Sequence, residues 1–206
     1  KDATIREIHH RVKNNLQTVA ALLRLQARRV GIPEARAALE ESVRRVASIA
    51  LVHETLSMTN DEAVEFDGIV DRVAGAASEV ATTEQRVTVR REGSFGVLPA
   101  EIATSLVMVL NELLLNAVEH GFPPNGRPAR PAEVVVSAHR LRKQLHVIVA
   151  DNGQGLPPDF DAERSGRLGL QIVRALATGE LRGSIELRNR LEGGTEAVLV
   201  VPLSRR

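Results

Sequence analysis

Two long stretches of helical apolar spacing, separated by Gly31-Ile32-Pro33, constrain this chain more than any other feature. At about 100° per residue, Ile5, Ile8, Val12, Leu16, Val19 and Leu23 fall on one stripe, which predicts a helix over residues 2–30. The second stretch, from Glu34 to Leu56, carries Leu39, Val43, Val46, Ala50 and Leu56 on its stripe, with His53 among them as a packed or hydrogen-bonded histidine. Glycine suits the end of the first helix and proline the start of the second, so the pair reads as an antiparallel helical hairpin. Such a hairpin cannot bury both stripes alone, which predicts pairing with a second copy as a four-helix bundle. On the first helix His9 flanks the stripe, whereas His10 lies roughly 160° from its centre and should face solvent. An exposed imidazole with Glu7 one turn before it and Asn14 one turn after is placed to act as a nucleophile or proton carrier; a solvated surface histidine is the plainer alternative.

Thr59-Asn60-Asp61-Glu62 is a polar break, after which the pattern changes, so residues 1–60 and 61–206 read as separate domains. Helices are expected at 67–80, 99–118 and about 168–177, and strands at 87–91, 132–138, 144–150, 183–188 and 195–202. Gly121 to Pro131 is a loop dense in proline and glycine. Helices on one face of a mixed, largely antiparallel sheet make an α+β layer architecture. No internal repeat is present.

Three clusters in the second domain carry chemistry. Glu112, Asn116 and His120 follow one another at i+4 and line one helix face, where a carboxylate, an amide oxygen and an imidazole suit a hard cation and phosphate. A polar helix edge is the competing explanation. Asp151-Asn152-Gly153-Gln154-Gly155 ends a buried strand: a carboxylate there can accept from an exocyclic amino group, and Gly153 and Gly155 let backbone approach a ligand closely, though a tight turn needs the same residues. Gly166-Arg167-Leu168-Gly169-Leu170 leads into a helix whose N-terminal amides form an anion site, and Gly193-Gly194-Thr195 opens the last strand with a hydroxyl within range of the same pocket. A loop-to-helix junction and a hairpin turn would account for these last two.

The segment Glu7 to Gln17 resembles the phosphoacceptor box of bacterial sensor histidine kinases, in the subfamily whose histidine is followed by Arg-x-Lys-Asn. That resemblance makes His10, directly before the arginine, the phosphoryl acceptor. The order Glu-x-x-x-Asn helix, Asp-x-Gly-x-Gly, Gly-Leu entering a helix, then Gly-Gly-Thr resembles the ATP-binding domain shared by histidine kinases, gyrase-type topoisomerases, Hsp90 chaperones and mismatch-repair ATPases, over roughly residues 65–203. It implies a Bergerat-type sandwich that binds ATP and Mg2+. Asn116 would be the metal ligand, Asp151 would bind the adenine amino group, Gly153 and Gly155 would shape the base pocket, and Thr195 would support the adenine end. Gly169 and Leu170 would close the phosphate side behind a lid between about Leu156 and Leu168. Where most histidine kinases have asparagine this chain has Glu112, as in its subfamily and in the hydrolysing ATPases. Arg11 stands where the larger kinase family has an acid, so Glu7 and Glu112 are the candidate bases for His10.

Composition excludes several classes without choosing one. The chain of 206 residues has a net charge of +1, which gives no nucleic-acid signature, and no cysteine for disulfides or cysteine metal sites. No apolar run is expected to reach membrane-spanning length, and no signal peptide is expected at the start, so a cytoplasmic protein is expected. Lys1 already lies inside a helical pattern, as in a fragment lacking its upstream part. The resemblance thus implies a histidine kinase core, acting as a homodimer, that passes phosphate to an aspartate on a response-regulator receiver domain, a regulator that in this subfamily often carries an RNA-binding antitermination output domain. An ATPase or serine kinase on the same nucleotide fold, or a silent regulator-binding scaffold, are the other readings.

Overall fold

The computed structural model describes residues 2–57, 63–80, 86–122, 130–162 and 167–203; on the helices, the side chains of residues 2–10, 48, 51, 52, 54–57 and 80 are outside that description. The chain divides into two compact units, Lys1–Glu62 and Ala63–Arg206.

The first unit is a pair of packed helices, α1 (Asp2–Arg29) and α2 (Pro33–Ser57). The turn between them is tied by Arg36, whose backbone N–H donates to Ile32 O at 3.0 Å while its guanidinium donates to Val30 O at 3.0 Å. One side chain thus satisfies a carbonyl that the end of α1 leaves open. The seam is built from small residues: Ala20 and Ala27, seven apart on α1, are buried, as are Val43 and Ala50 on α2. Of the expected stripe, Val12, Leu16 and Leu23 are half-buried but Val19 is 44% exposed, and outside the stripe Leu22 is 58% and Leu25 51% exposed. The apolar band of α1 is wider than one neighbour can cover, and alanines rather than the larger side chains take the close contact. Arg45 is buried on α2 and bonds Glu41 at 2.5 Å. The polar break at 59–62 lies outside the described residues.

In the second unit a five-stranded sheet has the order β2-β4-β5-β7-β6, formed by β2 (Thr88–Gly93), β4 (Glu133–Leu141), β5 (Gln144–Asp151), β7 (Thr195–Pro202) and β6 (Ser184–Asn189). The β2–β4 pair is parallel and the rest antiparallel. Period-two alternation buries Val134, Val136 and Ala138 on β4, Leu145, Val147 and Val149 on β5, and Ala197, Leu199 and Val201 on β7. Against that face pack α3 (Asp67–Val80), α4 (Ala100–Gly121) and α5 (Leu168–Ala175). The α5 helix continues into a π turn, Leu176–Glu180, in which Leu181 N–H donates to Leu176 O.

Two elements were absent from the sequence expectation: β1 (Ala63–Glu65) and β3 (Val97–Pro99), an antiparallel pair of three residues each. They are too short for alternation to register, and they are held instead by Phe66 packed on Phe95 at 5.3 Å between ring centroids. Asp67 secures the same corner, accepting from Ser94 Oγ at 2.7 Å and from Phe95 N at 2.8 Å. A second correction concerns α4. By length and composition this helix is apolar enough to cross a membrane, contrary to expectation, but 67% of its most apolar stretch is buried inside the unit, where Leu106, Leu110 and Leu114 form the centre of the core.

Candidate functional site

The strand β5 ends in a buried carboxylate. Alternation along the strand turns Asp151 inward with Val147 and Val149, leaving it 4% exposed. Its Oδ1 accepts backbone N–H groups from Gly153 at 2.9 Å and from Thr195 at 3.2 Å. Burial raises its pKa above the ordinary carboxylate value, opposed by those two backbone hydrogen bonds and by the positive charge of Arg190. The second oxygen, Oδ2, has no hydrogen-bond partner among the described residues, so a strong acceptor is left available.

Asp151 lies in the wall of a cleft that opens to solvent and combines apolar side chains with a few polar ones. From α4 come Leu113, Asn116, Ala117 and His120; Val149, Leu187 and Ala197 of the sheet supply an apolar wall. The segment after β5 contributes Gln154, Gly155, Leu156, Pro157 and Phe160, and α5 with its preceding residue contributes Leu170 and Arg167. Thr195 completes the rim beside Asp151.

Glycine is required here by close approach. A Cβ on Gly153 would stand 2.0 Å from Gly121 O, and one on Gly194, at φ +87°, would stand 2.0 Å from Asp151 O. Both contacts are with backbone, which cannot move aside as a side-chain tip can. Through them the Asp151–Gly155 loop, the end of α4 and the β6–β7 hairpin meet. Gln154 adds two ties, its backbone N–H to Gly121 O and its side-chain Nε2 to His120 O, both at 2.9 Å. Asn152 faces the other way, bonding Glu133 N and Pro131 O, and so joins the loop to the start of β4.

Asn116, His120, Asp151, Gly155, Leu170 and Thr195, singled out in the sequence, therefore come together around one cleft. Glu112, Gly153 and Gly169 are outside its lining: Glu112 is buried within α4 at 7% exposure, Gly153 serves the loop crossing, and Gly169 is buried in α5. Glu7 and His10 are on the backbone of α1, with side chains outside the description. Gly166 and the neighbouring part of the expected lid, 163–166, are also outside the described residues. Sequence reasoning missed Gln154, Phe160, Asn189 and Arg190. Asn189 stands just before the Gly193-Gly194 turn, where asparagine commonly bonds backbone, and that was the available signal.

For a cation, the donor set is spare. Among the described residues no three His, Cys, Asp or Glu side chains converge as metal ligands. Asn116, however, carries a buried Nδ2 with no partner, the one such side-chain atom among the described residues. An unsatisfied buried amide costs about 1–3 kcal/mol and is expected where a ligand completes the site. Asn116 also lines the cleft, and its amide oxygen suits a cation that takes most of its ligands from phosphate and water.

A cleft on the helical side of a mixed sheet, with a buried carboxylate and an orphaned amide, gives this α+β module a candidate ligand site. Residues 101–205 match the profile of the histidine kinase-, DNA gyrase B-, and HSP90-like ATPases, and residues 7–81 match that of the histidine kinases. The chain belongs to the histidine kinase-, DNA gyrase B-, and HSP90-like ATPase family. With both profiles in this order it has the make-up of a sensor histidine kinase catalytic core with an ATP-binding domain. It is 55% identical over 206 residues to the sensor histidine kinase PdtaS of Mycolicibacterium smegmatis, covering all of this chain and 41% of that protein. The same protein of Mycobacterium tuberculosis H37Rv is 54% identical over 206 residues, 40% of its length. The chain thus spans about two fifths of these relatives. Among solved structures, the histidine kinase domain of the Erythrobacter litoralis EL346 blue-light activated histidine kinase superposes with a TM-score of 0.65 at 25% identity, over 98% of this chain and 92% of that one. The ATP binding domain of PrrB from Mycobacterium tuberculosis gives 0.54 at 25% identity, over 70% of this chain and 100% of that one.

Proposed function

We propose that this core autophosphorylates on His10 from ATP-Mg and passes the phosphoryl group to an aspartate on a response-regulator receiver domain. The observation that carries the reading is the coexistence, in one chain, of the His10-Arg-x-Lys-Asn box and a cleft pairing the Asp151 acceptor with the orphaned Asn116 amide. Asp151 Oδ2 accepts the adenine 6-amino group, and the apolar wall of Val149, Leu187 and Ala197 receives the ring. Thr195 and Gly155 flank that end, while His120, Leu170 and Arg167 line the cleft toward the phosphates. Mg2+ held by Asn116 would neutralise charge on the β- and γ-phosphates. A nitrogen of His10 attacks the γ-phosphorus, the N–P bond forms as the bond to the bridging oxygen breaks, and ADP leaves. The imidazole proton passes to a carboxylate, for which Glu7 and Glu112 are the candidates.

The active form is a homodimer. Support comes from the exposed half of the α1 band, Val19, Leu22 and Leu25, which a second copy of the hairpin would cover as a four-helix bundle. The kinase works in the cytoplasm, where ATP and receiver domains are both available, and the resemblance of the phosphoacceptor box supports a regulator with an RNA-binding antitermination output. The test is incubation with γ-labelled ATP. Acid-labile, alkali-stable label that disappears in His10→Gln with nucleotide affinity intact is expected; free phosphate released at an undiminished rate by His10→Gln would make the protein an ATPase instead.

A further inference from the structure

We infer that Asn189, outside the cleft, is the positioning residue for the cleft's loop wall, so that nucleotide affinity depends on a side chain that touches no nucleotide; this rests on the nucleotide site proposed above. Asn189 is the last residue of β6 and does not line the cavity. Its side-chain Oδ1 accepts the Leu156 N–H at 2.6 Å, and its Nδ2 donates to Leu156 O at 3.3 Å. The carboxamide therefore satisfies both main-chain groups of Leu156, as a neighbouring strand would.

The tie is decisive because the wall has so few others. Leu156, Pro157 and Phe160 line the cleft, and among the described residues no other hydrogen bond joins residues 155–160 to another element; Phe160 N–H bonds only Pro157 O, within the loop. Gly155, at φ +79°, fits the arrangement, since a Cβ there would stand 2.8 Å from Asn189 Oδ1. The same hairpin also holds the opposite end of the loop. Arg190 donates to Asp151 O at 2.9 Å, Thr195 N–H donates to Asp151 Oδ1, and Asn189 pairs with Thr195 across the hairpin. The β6–β7 hairpin thereby bonds both the acceptor carboxylate and the wall facing the cleft, and Asn189 makes the bonds to the wall. Aspartate would keep the acceptor but set a carboxylate against the Leu156 carbonyl, and serine is too short to reach both groups.

The experiment uses the whole chain with Asn189→Ala and, as a control on the same hairpin, Leu191→Ser, whose side chain is fully exposed. Amide hydrogen exchange at Leu156, MgATP affinity by calorimetry, His10 labelling at saturating ATP and Tm are measured together. Asn189→Ala should expose the Leu156 amide to exchange and weaken MgATP binding about tenfold, the worth of one to two ordinary hydrogen bonds. The labelling rate at saturating ATP should stay within about twofold, and Leu191→Ser should match the parent throughout. Unchanged Leu156 exchange, unchanged affinity, or a fall in Tm and saturated rate with affinity intact would each overturn the inference while leaving the nucleotide reading in place. A parent chain that binds no MgATP would overturn both.

Discussion

Replacing Asp151 by asparagine separates recognition from folding at the centre of the site. The carboxylate performs two tasks with two oxygens: Oδ1 accepts from Gly153 and Thr195, and Oδ2 is left for the ligand. Asparagine keeps the first task, because its own Oδ1 can accept both backbone N–H groups. It inverts the second by placing an N–H₂ donor where the acceptor stood, opposite the adenine amino donor. Losing a hydrogen bond to a charged group costs about 1.5–3 kcal/mol, roughly a 10- to 150-fold loss of ATP affinity. The same change favours the 6-oxo group of guanine, so preference for ATP over GTP should narrow further than affinity alone requires. Asp151→Ala, by contrast, strands two buried N–H groups, and should lower stability by about 1–3 kcal/mol as well as affinity. Calorimetric titration with ATP and GTP, beside thermal unfolding of all three proteins, measures both effects. ATP binding by Asp151→Asn within twofold of the parent would refute the assignment of Oδ2 to the adenine amino group.

Asn116→Ala should remove the magnesium dependence of ATP affinity, read as superimposed titrations with Mg2+ and with EDTA, while a dependence as steep as the parent's would move the cation elsewhere. Glu112→Gln should slow His10 labelling about 10²- to 10⁴-fold, the usual worth of proton-transfer assistance, with ATP affinity nearly unchanged; equal labelling would leave Glu7 as the base. The raised pKa of Asp151 sets the sign of a pH effect on stability. A carboxyl whose pKa is higher folded than unfolded contributes stability below the ordinary value of 3.8 that is lost as pH rises through the folded value. The Tm of Asp151→Asn should therefore gain on the parent's as pH rises through that window, and parallel Tm curves would contradict it.

The fold was legible in sequence wherever one physical signal dominated. Short β-branched, largely apolar runs such as Val134–Val136 and Leu145–Ala150 announce buried strands, and the Gly31-Pro33 punctuation fixes a helical turn to within a residue or two. It was illegible where tertiary contact decides. The β1 and β3 strands exist because Phe66, Phe95 and the Asp67 hydrogen bonds hold them, and three residues contain no period. On α1 one position was misjudged: hydrophobic size suggests Val19 for the seam, whereas close helix approach selects Ala20 and Ala27. The apolar length of α4, interrupted by Glu101, Glu112 and Glu119, was passed over in sequence; it reflects burial between sheet and helices.

The site divides along the same line. Residues proposed to meet a ligand must be of a particular chemical type, and so Asp151, Asn116 and Thr195 fall in motifs whose order along the chain carries a family resemblance. Residues that hold those groups need only reach a backbone atom, and many types at many spacings can do that. Asn189, Arg190 and Gln154 are of this kind, bonding Leu156, Asp151 and His120 main-chain groups from 33, 39 and 34 residues away. Glycines straddle the two cases: Gly153 and Gly194 look like ligand glycines, yet the nearest atoms to their missing Cβ are the carbonyl oxygens of Gly121 and Asp151. Their smallness lets three chain segments cross at the carboxylate, and the cleft beside Asp151 is the space that this crossing leaves.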